Sequence, residues 1–247
     1  MISIIIPLYN QSNKLSRCLD SILAQTVLTS PHPSPITGEG VLELIIVNDG
    51  STDNIESVIK KYEDRFANFL FVNQENKGSN PARNRGFKES KGEFIIFCDA
   101  DIKMRPEMLE TMLKALEENK DTAYAYSSFK YGFKAFKLWP FDAEKLKIMP
   151  YIHTTSLIRR EAFPGFDENI KRLQDWDLWL TILENGYQGI WINKILFKVQ
   201  SGGTISNWLP SFAYKLFPFL KGVEKYKAAE EVIREKHNLK TPLIKGA

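Results

Sequence analysis

A nearly continuous apolar segment, residues 94–98, ends in two aspartates, Asp99 and Asp101, which one small residue separates. A short run rich in phenylalanine and isoleucine is typical of a β-strand that is covered on both faces. Ligands of open α/β sheets bind beyond the carboxyl ends of such strands. The segment therefore predicts a buried strand that delivers two carboxylates to the ligand-binding edge of a sheet.

Two carboxylates at such an edge suggest a divalent cation. In proteins, Mg²⁺ and Mn²⁺ take oxygen ligands from a few carboxylates and leave the other positions to water and phosphate oxygens. Asp99 and Asp101 are therefore candidate metal ligands beside a nucleotide diphosphate. An isolated Asp-x-Asp triplet also occurs by chance in solvated turns, and the apolar segment before it is what favours a metal site here.

Two earlier apolar runs also end in polar turns. The first covers residues 1–8, and the second covers residues 42–47 and precedes the polar segment 48–53. In that segment Gly50 permits a tight turn, and residues 51–53 supply capping oxygens for the next helix. Apolar residues at helical spacing follow the two runs: Leu15, Leu19, Ile22 and Leu23, then Ile55, Val58, Ile59 and Tyr62. The alternation of strands and helices predicts a parallel, doubly wound sheet.

Five motifs, in order along the chain, resemble those of family 2 glycosyltransferases with the GT-A fold. They are Ile5-Ile6-Pro7-Leu8-Tyr9-Asn10, residues 47–53 (VNDGSTD), Asn76-Lys77-Gly78 with residues 82–86 (ARNRG), Asp99-Ala100-Asp101, and residues 174–180 (QDWDLWL). The resemblance implies a GT-A type, Rossmann-like layered α/β fold with a mostly parallel central sheet, helices on both faces and a C-terminal helical segment. It also implies inverting transfer of a sugar from a nucleotide-diphosphate sugar, with Mn²⁺ or Mg²⁺ on the diphosphate.

On this basis residues 1–200 are expected to form the glycosyltransferase domain, with a nucleotide-sugar half at 1–103 and an acceptor and catalytic half at 104–200. The extension 201–247 is expected to pack on this domain or on a membrane surface. Its segment 207–221 combines aromatic residues with lysines, which fits either core packing or contact with a membrane that holds a lipid-linked acceptor. Segment 29–40, rich in Pro, Ser, Thr and Gly, interrupts the family pattern and predicts an extended surface loop.

By resemblance, seven residues bind the nucleotide sugar: Pro7, Tyr9, Asn10, Asp49, Gly78, Arg83 and Asp99. Pro7 and Tyr9 are expected to form the floor of the base pocket, and Asp49 to accept a hydrogen bond from the base or the ribose. Two alternatives stay open. The alternative for Asp49 is that it caps the following helix, and the alternative for Arg83 is that it is one partner of a structural ion pair.

The resemblance also implies a general base. It is the second residue of a Glu-Asp pair in the family, which corresponds to Asp175. Gln174 stands in place of the glutamate, and the loss of this negative neighbour should make Asp175 easier to ionise. The large apolar residues that follow have helical spacing and indicate core packing. The alternatives are that Asp175 is a helix N-cap and that Asp177 is the base.

Composition limits the partners. With 33 Lys and Arg against 30 Asp and Glu, the net charge of +3 does not indicate nucleic acid, and no such partner is expected. Cys18 and Cys98 occur in unrelated patterns and are expected to be reduced thiols. The three histidines lack metal-ligand spacing, and His153 is expected to be structural. No signal peptide or run of membrane-spanning length is found, so a cytoplasmic location is expected.

The expected function is sugar transfer to a carbohydrate or lipid-linked acceptor hydroxyl, in cell-surface polysaccharide or glycolipid synthesis. A sugar-1-phosphate nucleotidyltransferase would need a glycine-rich, basic loop after the first strand, which residues 7–11 do not provide. A non-catalytic sugar-nucleotide binding protein would not need a base at Asp175. Substrate specificity is expected to depend on loops around residues 127–155.

Overall fold

The computed structural model describes residues 1–28, 41–200 and 221–240, which contain nine strands and seven α-helices. The strands are β1 (Ile2–Leu8), β2 (Leu42–Asp49), β3 (Phe69–Gln74), β4 (Phe94–Phe97), β5 (Ile102–Met104), β6 (Tyr124–Tyr131), β7 (Lys134–Phe136), β8 (Leu157–Arg159) and β9 (Gly189–Val199). The helices are α1 (Ser12–Leu23), α2 (Ile55–Tyr62), α3 (Ser79–Glu89), α4 (Met108–Glu118), α5 (Ala143–Ile148), α6 (Gln174–Glu184) and α7 (Lys221–Lys236). The predicted loop 29–40 and residues 207–220 of the predicted membrane segment lie outside the described residues.

All nine of these strands belong to one sheet, in the order β3-β2-β1-β4-β8-β6-β9-β5, with β7 paired to β6. The first four are parallel, as the alternation of strands and helices predicts. β8 is antiparallel to both of its neighbours, β5 is antiparallel to β9, and β6 and β9 are parallel. The parallel arrangement therefore holds for the N-terminal half, and the C-terminal half is mixed. The regular strand and helix alternation ends at β4, so the later sequence pattern does not specify the direction of β8.

Side chains of β1 alternate between two apolar cores. Ile4 and Ile6 belong to a core that includes residues of α1, α2 and α4, whereas Ile5 belongs to a core that includes residues of α3, α5, α6 and α7. All three isoleucines are fully buried. Because successive residues of a strand point to opposite faces of a sheet, helices cover both faces. The layered α/β fold predicted from the sequence is confirmed.

The C-terminal helix α7 is attached to α6 by charged side chains. Lys236 Nζ lies 2.7 Å from Asp177 Oδ1, and His237 Nε2 lies 2.9 Å from the same oxygen. Arg234 donates a hydrogen bond of 2.8 Å to the carbonyl of Ile148 at the end of α5. Among the helices described, α7 included, none has the length and apolar character that crossing a membrane requires.

Candidate active site

The carboxyl ends of β1, β2 and β4 meet at one edge of the sheet, because these three strands are adjacent and parallel. Hydrogen bonds join the turns after β1 and β2: the Thr52 amide donates to Asn10 Oδ1 over 2.8 Å, and the Asn10 amide donates to Ser51 Oγ over 3.0 Å. Asn10 has a φ of +51°, a left-handed conformation that asparagine tolerates better than most residues. Beside it, Pro7 is half-buried and the Tyr9 side chain is exposed.

The helix cap predicted at residues 51–53 is wrong. Helix α2 begins at Ile55, and its N-cap is Asn54, whose side chain accepts a hydrogen bond from the Ser57 amide. Asp53 instead accepts a hydrogen bond of 2.8 Å from the Ser12 amide, at the start of α1. The turn after β2 is longer than the local pattern indicates, so the Asp53 carboxylate reaches α1, which is distant in sequence.

Asp49 does not cap α2, because its carboxylate holds the loop before α3. Its Oδ1 accepts hydrogen bonds from Gln74 Nε2 over 2.8 Å and from the Lys77 amide over 2.9 Å, and its Oδ2 accepts one from the Gly78 amide over 2.8 Å. A carboxylate has about four acceptor positions, so these three hydrogen bonds leave one unused. Gly78 has a φ of +98°, and a Cβ there would meet no neighbour, so glycine serves a conformational need.

Helix α3 places Arg83 against the Asp-x-Asp segment. A Cβ on Gly86 would clash with Ile5 of β1, so glycine lets this helix approach the sheet closely. The side chain of Arg83 is 7% exposed, and its Nη2 donates a hydrogen bond of 2.9 Å to Asp99 Oδ1. Its Nη1 donates to Asn80 Oδ1 over 3.2 Å. Arg83 is thus an ion-pair partner, but its partner is itself a predicted ligand of the metal and nucleotide sugar.

The two aspartates differ electrostatically. Burial raises the pKa of Asp99, but the Arg83 guanidinium outweighs this effect, and the pKa lies below its usual range. Burial and the charge of Asp99 together raise the pKa of Asp101 to about 6. A divalent cation fits this pair, since it would relieve the repulsion between the carboxylates, and Arg83 occupies only Oδ1 of Asp99. Among the described residues no cluster of three or more metal-ligating side chains is present, so phosphate oxygens and water would complete the coordination.

Asp175 lies inside the first turn of α6. The N-cap position is Leu173, with a φ of +58°, so the proposal that Asp175 is the N-cap is wrong. Its Oδ1 accepts a hydrogen bond of 2.9 Å from the Trp176 amide. Burial raises the pKa of Asp175, the Trp176 amide and Arg83 oppose this shift, and Asp99 adds to it. Asp175 is therefore within electrostatic reach of Arg83 and Asp99.

The remaining polar and aromatic residues of α6 have structural partners. Asp177 is buried and binds Lys236, the last residue of α7, and His237, which follows it. These contacts argue against the use of Asp177 as a base. Trp176 and Trp179 are fully buried, and their indole nitrogens donate hydrogen bonds to the carbonyls of residues 146 and 152. The aromatic stripe is therefore core packing, as its spacing predicts.

His153 belongs to the charged cluster, which the sequence did not reveal. Its ring lies between Phe129 and Phe197, at centroid distances of 5.1 and 5.0 Å. Its Nδ1 accepts a hydrogen bond of 3.0 Å from the Thr155 amide, which leaves the proton of the neutral ring on Nε2. Burial lowers the pKa of His153 to about 4, although the charge of Asp99 opposes this. No spacing motif marks this residue, because the fold of the segment before β8 brings it to the site.

The structure also brings together two cysteines that the sequence patterns do not relate. Cys18 of α1 and Cys98, which precedes Asp99, are buried free thiols with their Sγ atoms 3.6 Å apart. Contact with Cys18 and burial raise the pKa of Cys98 well above its usual range. Both cysteines are free, and a thiol whose pKa is raised, such as that of Cys98, is unreactive.

Comparison with known proteins identifies the family. A model of glycosyl transferase family 2 matches residues 3–171. The chain is 37% identical to the uncharacterized glycosyltransferase YibD of Escherichia coli over 49% of its own length, and 32% identical to chondroitin synthase of Pasteurella multocida over 75%. It spans 32% and 19% of these two relatives' lengths.

Solved structures share the fold. Residues 1–349 of Staphylococcus aureus TarS in complex with UDP-GlcNAc match with a TM-score of 0.68 and 18% identity, over 96% of this chain and 72% of that one. Mannosyltransferase PcManGT from Pyrobaculum calidifontis in complex with GDP-Man and Mn²⁺ matches with a TM-score of 0.64 and 17% identity, over 96% and 62%. The sheet with helices on both faces, the ordered motifs and the match over residues 3–171 together show that the chain belongs to glycosyl transferase family 2 and has the GT-A fold.

Proposed function

We propose that this protein is an inverting glycosyltransferase that moves a sugar from a nucleotide-diphosphate sugar to an acceptor hydroxyl. The observation that carries the proposal is the placement of Arg83, Asp99 and Asp101 at one edge of the sheet, within electrostatic reach of Asp175. The two solved neighbours hold UDP-GlcNAc and GDP-Man, which supports a nucleotide sugar as the donor.

The nucleotide lies, in this proposal, at the edge formed by the turns after β1 and β2. Tyr9 offers an exposed aromatic ring for the base, and Pro7 and Asn10 shape the turn that carries it. Asp49 keeps one acceptor position for the base or the ribose, while it holds the loop that contains Gly78. The half at residues 1–103 would thus recognise the nucleotide, and the half at 104–200 would provide the base and contact the acceptor.

Asp99 and Asp101 would hold Mn²⁺ or Mg²⁺, which would neutralise charge on the leaving diphosphate. The Mn²⁺ in the PcManGT complex supports this assignment. Arg83 fixes the orientation of the Asp99 carboxylate through its hydrogen bond to Oδ1. The charge of Arg83 also keeps Asp99 ionised although this carboxylate is partly buried, so that its second oxygen is available as a ligand.

Asp175 accepts the proton of the acceptor hydroxyl as that oxygen attacks the anomeric carbon from the face opposite the diphosphate. The carbon–oxygen bond to the diphosphate breaks as the new glycosidic bond forms, and the configuration is inverted. No covalent bond between sugar and enzyme is required. The raised pKa of Asp175 supports this role, because a base is most effective when its pKa approaches the working pH.

The acceptor is a carbohydrate or a lipid-linked saccharide, and the pathway is cell-surface polysaccharide or glycolipid synthesis. The similarity to chondroitin synthase supports a polysaccharide role. A peripheral membrane contact through residues 207–221 belongs to the same proposal.

Thermal shift with nucleotide sugars tests the donor site. UDP-GlcNAc and GDP-mannose are added to the parent, to Asp101→Asn and to the control Lys60→Gln, with and without Mn²⁺. A ligand that binds the native state alone raises the melting temperature. One nucleotide sugar should stabilise the parent and the control in the presence of Mn²⁺, and stabilise Asp101→Asn far less. The proposed donor site would be contradicted if no nucleotide sugar raised the melting temperature of the parent. It would also be contradicted if the melting temperatures of the parent and of Asp101→Asn rose equally.

A further inference from the structure

Three lysines stand side by side on neighbouring strands. Lys103 of β5 is directly opposite Lys198 of β9, and Lys198 is level with Lys130 of β6. Side chains at paired positions share one face of a sheet, with Cβ atoms about 5 Å apart, and like charges placed in this way are destabilising. Repulsion between these lysines therefore destabilises the fold, and a negatively charged partner bound at this row would relieve it.

No acidic side chain compensates the row within the described part of the chain. A cavity of 390 Å³ beside it is lined by Lys103, Arg105, Lys130 and Lys198 together with uncharged residues. None of these four cations has an ion pair among the residues in 1–28, 41–200 and 221–240. Elsewhere on the surface, lysines of α4 and α5 are paired with glutamate or aspartate one turn away. The unneutralised row is thus a local property rather than a consequence of overall charge.

An exposed phenylalanine projects beside the row. The turn between β6 and β7 consists of Gly132, with a φ of +57°, and Phe133, whose side chain is completely exposed. Lys198 Nζ lies 5.5 Å from the centre of the Phe133 ring. A polar residue would serve equally well in a solvated turn, so the apolar ring at this tip also calls for a partner. We call Lys103, Arg105, Lys130, Phe133 and Lys198 the basic surface.

We propose that the basic surface docks the protein on a membrane that contains anionic phospholipids. The cations would lie at the headgroup phosphates and Phe133 would insert between the headgroups, a combination used by proteins that bind at the membrane interface. A soluble polyanion would form ion pairs with the cations, but it would gain little from contact with the apolar ring of Phe133. The exposed ring therefore favours lipid. The docking does not depend on the catalytic assignments above, although Lys103 is only two residues from Asp101.

Vesicle sedimentation tests the proposal with the full chain. Binding is measured to vesicles of phosphatidylcholine alone and of phosphatidylcholine with phosphatidylglycerol. The parent should bind only the second kind, and less at high salt. Because each basic residue near an anionic surface contributes about fivefold, Lys103→Gln with Lys198→Gln should weaken binding about 30-fold. Phe133→Ser should weaken it about tenfold through lost apolar burial.

The matched control is Lys60→Gln with Lys88→Gln, which removes the same charge from exposed positions on α2 and α3 and should bind like the parent. All substituted residues lie on the surface, and the half-buried Lys130 is kept. Melting curves verify the fold. The proposal is overturned if the parent does not bind the anionic vesicles, or if the control loses as much affinity as the test variant. It is also overturned if the test variant loses binding to dextran sulfate while its vesicle binding is unchanged, since the surface would then serve a soluble polyanion.

Discussion

Asp175→Asn separates a catalytic from a structural role for this side chain. Asparagine keeps the shape and can still accept the hydrogen bond from the Trp176 amide, but it cannot take up a proton at neutral pH. A positioned base contributes about 10²- to 10⁴-fold to the rate. Turnover should fall by that factor, which corresponds to about 3 to 5 kcal/mol of activation free energy. Affinity for the nucleotide sugar should hardly change, because the base acts on the acceptor.

The expected change in stability follows from the direction of the pKa shift. Burial raises the pKa of Asp175 in the folded state, so folding disfavours the ionised form. The native state therefore loses stability as the pH rises above the unfolded value of about 4. At neutral pH the asparagine variant avoids this cost and should melt at the same temperature as the parent or slightly higher. Near pH 3, where the parent carboxyl is also protonated in both states, the two melting temperatures should coincide.

The assay measures release of nucleoside diphosphate with an acceptor that the parent uses, and calorimetry measures melting. Asp177→Asn is the matched control on the same helix. It breaks a buried contact with Lys236 and His237, so it should lose about 3 kcal/mol of stability and keep its activity while folded. Near-parental turnover by folded Asp175→Asn would refute the base assignment. A large loss of stability in that variant would instead show that the carboxylate is structural.

Three further outcomes are expected. Asp101→Ala should abolish transfer and the Mn²⁺ dependence of nucleoside diphosphate binding while the fold survives; calorimetric titration that shows undiminished Mn²⁺ dependence would contradict the metal assignment. Gly86→Ala should lower stability by about 1 to 3 kcal/mol, because the added methyl group meets Ile5, and should lower activity as α3 shifts; an unchanged melting temperature would count against close packing of this helix. Burial lowers the pKa of His237, but its two carboxylate partners raise it overall, so the stability from its charge is present below about pH 6.5 and is lost as the pH rises through the higher folded value. His237→Gln should therefore cost more stability at acidic than at alkaline pH, and a pH-independent difference in melting temperature would refute this.

The sequence predicted those features that depend on neighbours along the chain. Strands β1, β2 and β4 follow from their apolar runs, and the position of Asp99 and Asp101 at a strand end follows from the abrupt change to polar residues. Spacing identified the tryptophans of α6 as core. These properties are local, because burial on both faces of a strand or on one face of a helix leaves its period in the sequence.

Contacts between distant segments could not be predicted in this way. The hydrogen bond from Arg83 to Asp99 depends on how closely α3 approaches β1. His153 reaches the charged cluster only because β8 pairs with β4 in an antiparallel direction that no pattern specified. For the same reason, the bond from the first amide of α1 to Asp53 could not be predicted, since the two residues are 41 positions apart in the chain.

The two bonds from Asp49 to the loop before α3 connect parts of the site that perform different tasks. The carboxylate for which we propose a nucleotide contact holds the amide of Gly78, which precedes α3, and α3 carries Arg83 to Asp99. A shift of this helix would therefore affect both the proposed base pocket and the proposed metal site. By thermodynamic linkage, a nucleotide that favours one position of α3 strengthens cation binding by the same factor by which the cation strengthens nucleotide binding. Donor selectivity in this protein should consequently depend on which divalent cation is present.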